Sequence, residues 1–164
     1  MKASRIRLAA ASMLAVFIAT GSLVLHAQSA KSELLEAANR FNMLMAKKDI
    51  AIVNECAPDA DILFQGSGAG ELSVGPEQMK TFWEGIIKGP RTISFDWTDT
   101  RATAVGDVGW VHLIGEMVNT ADGKTTRRPY RITGILQKRN GVWKWRLFHG
   151  SQAPPPAPPQ ASAR

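Results

Sequence analysis

Cysteine is nearly absent from this sequence: Cys56 is the single one among 164 residues. One thiol cannot close a disulfide within the chain, and it cannot build a zinc site that needs several cysteines. Hydrophobic residues make up 45% and charged residues 21%, which excludes a wholly disordered or fibrous protein. The length fits one globular domain, whose stability must come from packing. Cys56 ends a short apolar segment, so we expect a buried, inert thiol.

The N-terminus has three cations and no acid within its first seven residues, followed by an apolar run over 8–25. This order is typical of a secretory signal peptide. We predict a signal peptide over 1–27, cleaved after Ala27, with Ala30 as the alternative site, and a periplasmic or secreted protein. The run is about 18 residues, long enough to span a bilayer, so an uncleaved membrane anchor is the other outcome. No paired arginine precedes the run, which favours the general secretion route.

Cations are scattered along the rest of the chain. Removal of 1–27 takes away three cations and no acid, which lowers the formal net charge from +6 to +3. A nucleic-acid-binding surface would need a clustered basic stripe, so nucleic acid is not an expected partner. The proline-rich segment 153–164 is predicted to be an extended, solvated tail, with a ligand for a proline-recognition domain as the alternative.

The first half of the chain shows helical patterns. Ser32 can cap an amphipathic helix over 32–47, and Asp49 can cap a short helix over 50–56. Pro76 suits the first turn of a third helix that ends at Gly89-Pro90.

The second half shows a period of two, which indicates strands. A short strand is predicted at Asp61–Phe64, and longer ones follow from Arg91 onward. Asp122-Gly123 and Asn140-Gly141 suit tight hairpin turns. The predicted order is ααβαβββ, an α+β fold with an antiparallel sheet. Three helices over a bent sheet would enclose a cone whose open mouth suits a small ligand.

Particular residues add a resemblance. The segments that carry it are Arg40-Phe41-Asn42, Ala46-Lys47-Lys48-Asp49, Gly75-Pro76-Glu77, Gly106-Asp107-Val108-Gly109-Trp110, Arg131-Ile132-Thr133-Gly134-Ile135-Leu136 and residues 140–151. The last two are similar to an Arg-x-Thr strand followed by Gly-x-Trp-Lys and His-x-Ser. Over about 32–152 the chain resembles the SnoaL-like branch of the nuclear transport factor 2-like (ketosteroid isomerase-like) superfamily. The resemblance implies a domain over 28–152 with a cone-shaped, curved antiparallel sheet and three N-terminal helices, and a homodimer whose sheets pack face to face.

The resemblance also allows the catalytic positions of ketosteroid isomerases to be compared with the residues of this sequence. Ketosteroid isomerases use an aspartate base, a tyrosine and a protonated aspartate. Here the tyrosine position falls on Phe41, the base position near Phe64 or Gln65, and the protonated aspartate near Thr133. None of these side chains can take over the acid–base role, so that isomerase reaction is disfavoured and the question of catalysis stays open. No cofactor is implied.

Arg131 is the charged residue of greatest interest, because alternation places it on one face with Thr133 and Ile135. Inside an apolar cone, its guanidinium would need an anionic partner, such as a ligand carboxylate. The alternatives are an ion pair with Glu116 or Asp96, or a position at a subunit interface.

Two histidines are candidate proton carriers. His149 shares a face, by alternation, with Trp143, Trp145 and Leu147, and a structural histidine is the alternative. His112 shares a face with Trp110, which the resemblance places in the cavity. A metal site is not expected, because Glu116 lies about 13 Å along the strand from His112 and no third ligand accompanies the two histidines.

We therefore predict an exported domain that binds a small apolar or acidic molecule, with no assigned reaction. The alternatives are a cyclase, dehydratase or isomerase that uses His149 or His112, and a dimeric association module. The tryptophans serve mainly for packing, and Gln65–Gly70 is a flexible turn rather than a dinucleotide loop. The predicted pocket residues are Phe41, Trp83, Trp110, His112, Arg131, Thr133 and His149.

Overall fold

A computed structural model describes residues 28–152. The predicted signal peptide over 1–27 and the predicted tail over 153–164 lie outside the described residues. The chain forms helix α1 (28–46), a 3-10 helix (Ile50–Glu55) and helix α2 (Gly75–Lys88). The strands are β1 (Leu63–Gln65), β2 (Leu72–Val74), β3 (Thr92–Val105), β4 (Val108–Ala121), β5 (Lys124–Arg139) and β6 (Val142–Gln152).

The strands form one curved, unclosed sheet in the order β2-β1-β6-β5-β4-β3. Hairpins join β3 to β4, β4 to β5 and β5 to β6, and each of these pairs is antiparallel. In contrast, β1 pairs parallel with β6. The predicted α+β class and the mostly antiparallel sheet are confirmed. The predicted order is short by two strands, partly because β2 has only three residues and too little alternation to be recognised.

Local signals explain most element ends. The Asp49 carboxylate accepts a hydrogen bond from Ala51 N at 2.9 Å, so the predicted cap is confirmed, although the helix is 3-10. Asp122 and Asn140 have positive φ, as do the glycines that follow them, which confirms both tight turns. The Ser32 cap is wrong: the chain is already helical at residue 28, and the Ser32 hydroxyl contacts Glu36 at 3.4 Å within the helix.

Helix α1 is fixed to the inner face of the sheet, which we define as the face that the helices cover. The Asn42 side chain donates to Phe95 O at 2.8 Å and accepts from Phe95 N at 2.9 Å. The Glu33 carboxylate accepts from Lys138 Nζ at 2.6 Å and Trp143 Nε1 at 3.0 Å, and the Lys138 hydrogen bond is the main reason that its pKa is lowered. These contacts hold the helix over the concave side of β3–β6.

The core lies between the helices and this inner face. Phe41 of α1 lies at its centre, with ring centroids 5.3 Å from Trp83, 5.1 Å from Trp145 and 5.7 Å from Phe148. Cys56 is buried, as expected, and burial raises the pKa of its thiol to about 12. No helix in the described part of the chain is long and apolar enough to cross a membrane.

Candidate functional site

A cavity of about 110 Å³ opens between α2, the inner face of the sheet and the β1–β2 connection. Apolar side chains form most of its wall: Phe64, Phe82, Trp83, Ile93, Phe95 and Phe148. Phe64 stacks on Phe148 with centroids 4.2 Å apart and planes 12° from parallel, and it meets Trp83 edge-on at 5.0 Å. Interlocked rings of this kind make a rigid apolar surface.

Polar side chains complete the lining of the cavity, and we call them its mouth because three of them are exposed to solvent. They are Ser67, Glu71, Arg91, Asn119, Tyr130 and Gln152. Gln152 Nε2 donates to Ser67 Oγ at 2.9 Å, which ties the end of β6 to the β1–β2 connection. The site therefore combines an apolar chamber with a polar mouth, the usual composition of a small-molecule pocket.

Tyr130 brings a phenol hydroxyl to this mouth. Burial is the main cause that raises its pKa, the charge of Glu71 raises it further, and a hydrogen bond with Ser67 works in the opposite direction. The phenol is therefore neutral at neutral pH and can donate a hydrogen bond. A Cβ atom at Gly150 would lie 2.1 Å from this hydroxyl, so glycine is required where Tyr130 crosses β6.

Glycines shape the connection between β1 and β2. Gly68 N donates to the Glu71 carboxylate at 2.8 Å, and Gly66 N donates to Glu71 O at 2.8 Å. The segment that the sequence predicts as a flexible turn is thus a hydrogen-bonded loop that carries Ser67 and Glu71 to the cavity. Side chains at Gly66 or Gly68 would clash with Glu71.

The predicted pocket residues divide between the two sides of the sheet. Trp83 lines the cavity, and Phe41 is buried against it. The other five, Trp110, His112, Arg131, Thr133 and His149, lie on the outer face, which is the face away from the helices. None of these five lines the cavity, which corrects the predicted lining.

Strand register shows how the five residues are arranged. His112 pairs with Thr133, and Thr133 pairs with His149, so the three form one cross-strand row. His112 Nδ1 lies 2.9 Å from Thr133 Oγ1. Both candidate histidines are therefore separated from the cavity by the thickness of the sheet.

Arg131 is exposed on the outer face. The alternative, an ion pair of Arg131 with Glu116 or Asp96, is also wrong, because both carboxylates bind Arg127, Glu116 at 3.1 Å and Asp96 at 2.6 Å. Arg127 and Arg131 are four residues apart on the same face of β5, and Arg127 pairs with Val118, two residues along β4 from Glu116.

A β-bulge explains the error in the last strand. Ile135 pairs with Leu147 but Leu136 pairs with Trp145, so Arg146 is an extra residue that reverses the alternation. Trp143, Trp145 and Phe148 consequently all point to the core, while His149 points outward. Sequence alternation alone places His149 with the tryptophans, since nothing in the local sequence marks the bulge.

Sequence reasoning missed most of the cavity wall, including Phe95, Met117, Tyr130 and Phe148. One feature of the sequence could have identified Tyr130 as an inward-facing residue. It alternates with Ile132 and Leu136 on the apolar side of β5, opposite Arg131 and Thr133. The apolar side of such a strand faces the core, so the charged side is the outer one.

The chemistry available at the cavity is limited. Among the lining residues, Tyr130 can donate a hydrogen bond through its phenol, and Glu71 is the one carboxylate. Within residues 28–152, no group of three or more His, Cys, Asp and Glu side chains could hold a metal ion.

Comparisons with known proteins agree with this architecture. The family model for the SnoaL-like domain matches residues 34–156. A candidate dehydratase of the nuclear transport factor 2-like family from Streptomyces avermitilis has a TM-score of 0.68 at 15% identity, with 76% of this chain and 97% of that chain covered. A ketosteroid isomerase-like protein from Erwinia carotovora has a TM-score of 0.61 at 18% identity, with 76% of this chain and 96% of that chain covered.

A candidate scytalone dehydratase from Novosphingobium aromaticivorans gives a TM-score of 0.66 at 11% identity, with 75% of this chain and 83% of that chain covered. No curated protein sequence matches the chain. Identities this low show the shared fold and leave the reaction open. The family match covers most of the chain, and the chain therefore belongs to the SnoaL-like domain family.

Proposed function

We propose that this protein is an exported domain that binds a small, mostly apolar molecule in its cavity. The observation that carries the proposal is the cavity itself, in which interlocked aromatic rings form the chamber and polar side chains gather at the mouth. A domain stabilised by packing alone would gain from filling such a space, because an empty apolar cavity costs stability. Export is supported by the cationic and apolar pattern over 1–27.

An enzyme of the cyclase, dehydratase or isomerase type is the first alternative. Relatives named as dehydratases and as ketosteroid isomerase-like share the fold at 11–18% identity. A mechanism based on His149 or His112 has no geometric support, since both lie on the outer face. Catalysis would have to use Tyr130 as a hydrogen-bond donor and Glu71 as a base. Glu71 already accepts from Gly68 N, so binding is the better supported function.

Toluene is a suitable probe for the chamber. We expect toluene to shift the amide NMR signals of cavity residues in the full chain, and Met117→Trp to abolish the shifts because the larger ring fills the space. Val118→Trp is the matched control: it adds the same ring at the next residue, on the outer face. If the folded wild type shows no cavity shifts with toluene, or Met117→Trp leaves them intact, the proposal is wrong.

A dimer through the outer face is the second candidate, favoured by an exposed apolar row. The row crosses five strands in register and consists of Trp110, Ile135, Leu147, Leu63 and Val74. Trp110 and Val74 are each 45% exposed and Ile135 is 39% exposed. We propose that a second copy of this chain covers the row, because the apolar area would otherwise face water.

Trp110→Lys tests this interface. We expect a mass by light scattering of two chains for the wild type and of one chain for Trp110→Lys, since a buried unpaired charge opposes association. Thr81→Lys adds the same charge on the exposed side of α2 and should remain dimeric. A monomeric wild type would contradict the dimer without affecting the ligand-binding proposal.

A further inference from the structure

We infer that the cavity selects a ligand with a single ring and a carboxylate, with the ring in the aromatic chamber and the carboxylate on Arg91. This inference rests on the proposed binding function and specifies the class of molecule that the same site takes. It depends on three features of the described residues: the volume of the chamber, its aromatic wall and the charges at its mouth.

The volume limits the size of the ring system. Ligand pockets for drug-sized molecules measure roughly 300–1,000 Å³, and an engineered cavity of about 150 Å³ holds benzene. The chamber described here is about 110 Å³ and opens at its polar mouth. One six-membered ring fits if a substituent extends into the mouth, whereas two fused rings exceed the space.

The wall favours a flat ring over a flexible chain. Phe64, Phe82 and Trp83 meet at centroid distances of 4.9–5.2 Å, and Phe148 stacks on Phe64. Aromatic pairs prefer stacked and edge-on contacts at about 4.5–7 Å. A guest ring can continue this pattern, and it loses little conformational entropy when it binds.

The charges at the mouth favour an anion. Arg91 directly precedes β3 and is the one cation among the described lining residues. Arg91 forms no ion pair within residues 28–152, so its guanidinium is available for a bidentate contact with a carboxylate. Glu71 is the one carboxylate of the lining, and it accepts from Gly68 N rather than from Arg91. A ligand carboxylate would therefore take the Arg91 side of the mouth.

Three probes separate the parts of this inference. Benzoate has the ring and the charge, benzyl alcohol has the ring without the charge, and 2-naphthoate has the charge on two fused rings. By titration calorimetry on the full chain, we expect benzoate to bind about tenfold more tightly than benzyl alcohol, and 2-naphthoate to bind more weakly than benzoate. The preference for benzoate should shrink as salt rises, because Arg91 is exposed.

Arg91→Gln should remove the preference for benzoate over benzyl alcohol. Arg131→Gln is the matched control, because Arg131 is also an exposed arginine but lies on the outer face. Thermal melts of both variants check folding, and Arg91→Lys should keep part of the preference through its charge.

Failure of this inference can be distinguished from failure of the proposed binding function. If toluene and all three probes fail to bind the folded wild type, the binding function itself is wrong. If benzyl alcohol binds as tightly as benzoate, or Arg91→Gln keeps the preference, binding stands and the carboxylate assignment is overturned. If 2-naphthoate binds as tightly as benzoate, the single-ring limit is overturned.

Discussion

Phe148→Ala is expected to lower the free energy of unfolding by about 3–5 kcal/mol, the range found for large-to-small changes at buried aromatic residues. Phe148 is 3% exposed, stacks on Phe64, and has ring centroids 5.7 Å from Phe41 and 5.6 Å from Trp145. Its removal would open a space where the wall of the cavity meets the core. Denaturant unfolding measures the loss, and the larger chamber should admit 2-naphthoate.

His149→Ala is the matched control for this change. His149 is the next residue along β6, exposed on the outer face, where substitutions usually change stability by no more than about 0.5 kcal/mol. We expect it to leave both stability and toluene binding close to those of the wild type. An equal loss of unfolding free energy in the two variants would contradict the orientation of β6 after its bulge.

Gly134→Ala is expected to destabilise the protein by about 1–3 kcal/mol, because its Cβ would overlap a buried ring. A Cβ at this position would lie 2.1 Å from the Trp145 side chain and 3.1 Å from Leu147 O. Trp145 is 2% exposed and in contact with Phe41, so it has little room to move. Thermal unfolding measures the loss, and a shift of the tryptophan fluorescence would report the displaced ring.

Gly85→Ala is the control for the loss of glycine. Gly85 lies in α2, and a Cβ there would meet nothing within 4 Å. Alanine favours the helix over glycine by roughly 1 kcal/mol, so this variant should be more stable than the wild type. Unchanged stability in Gly134→Ala would contradict the close contact between Gly134 and the Trp145 ring.

The fold was largely predictable because its signals are local. Asp49, Pro76 and the pairs Asp122-Gly123 and Asn140-Gly141 each determine the backbone within a few residues. The alternation of Tyr130 with Ile132 is equally local, although it needs the rule that the apolar side of a strand faces the core.

The site was less predictable because its signals are not local. The bulge at Arg146 depends on how β6 pairs with β5, and it decides whether Phe148 or His149 reaches the cavity. Ser67 and Glu71 reach the mouth through a connection between two three-residue strands. Arg91 precedes β3 and belongs to no motif, so only the folded chain reveals that it lines the cavity.

The parallel pairing of β1 with β6 also constrains the order of folding. Leu63 pairs with Leu147, and Ala57 N donates to Trp145 O at 2.8 Å, so the early part of the domain closes against its last strand. The hairpins β3–β6 need only neighbouring residues and can form quickly, whereas this long-range closure is slow. Phe64 lies on β1 and Phe148 on β6, so we expect the chamber to be completed only when these two strands pair. A chain that is still emerging would therefore lack the complete chamber until β1 has paired with β6.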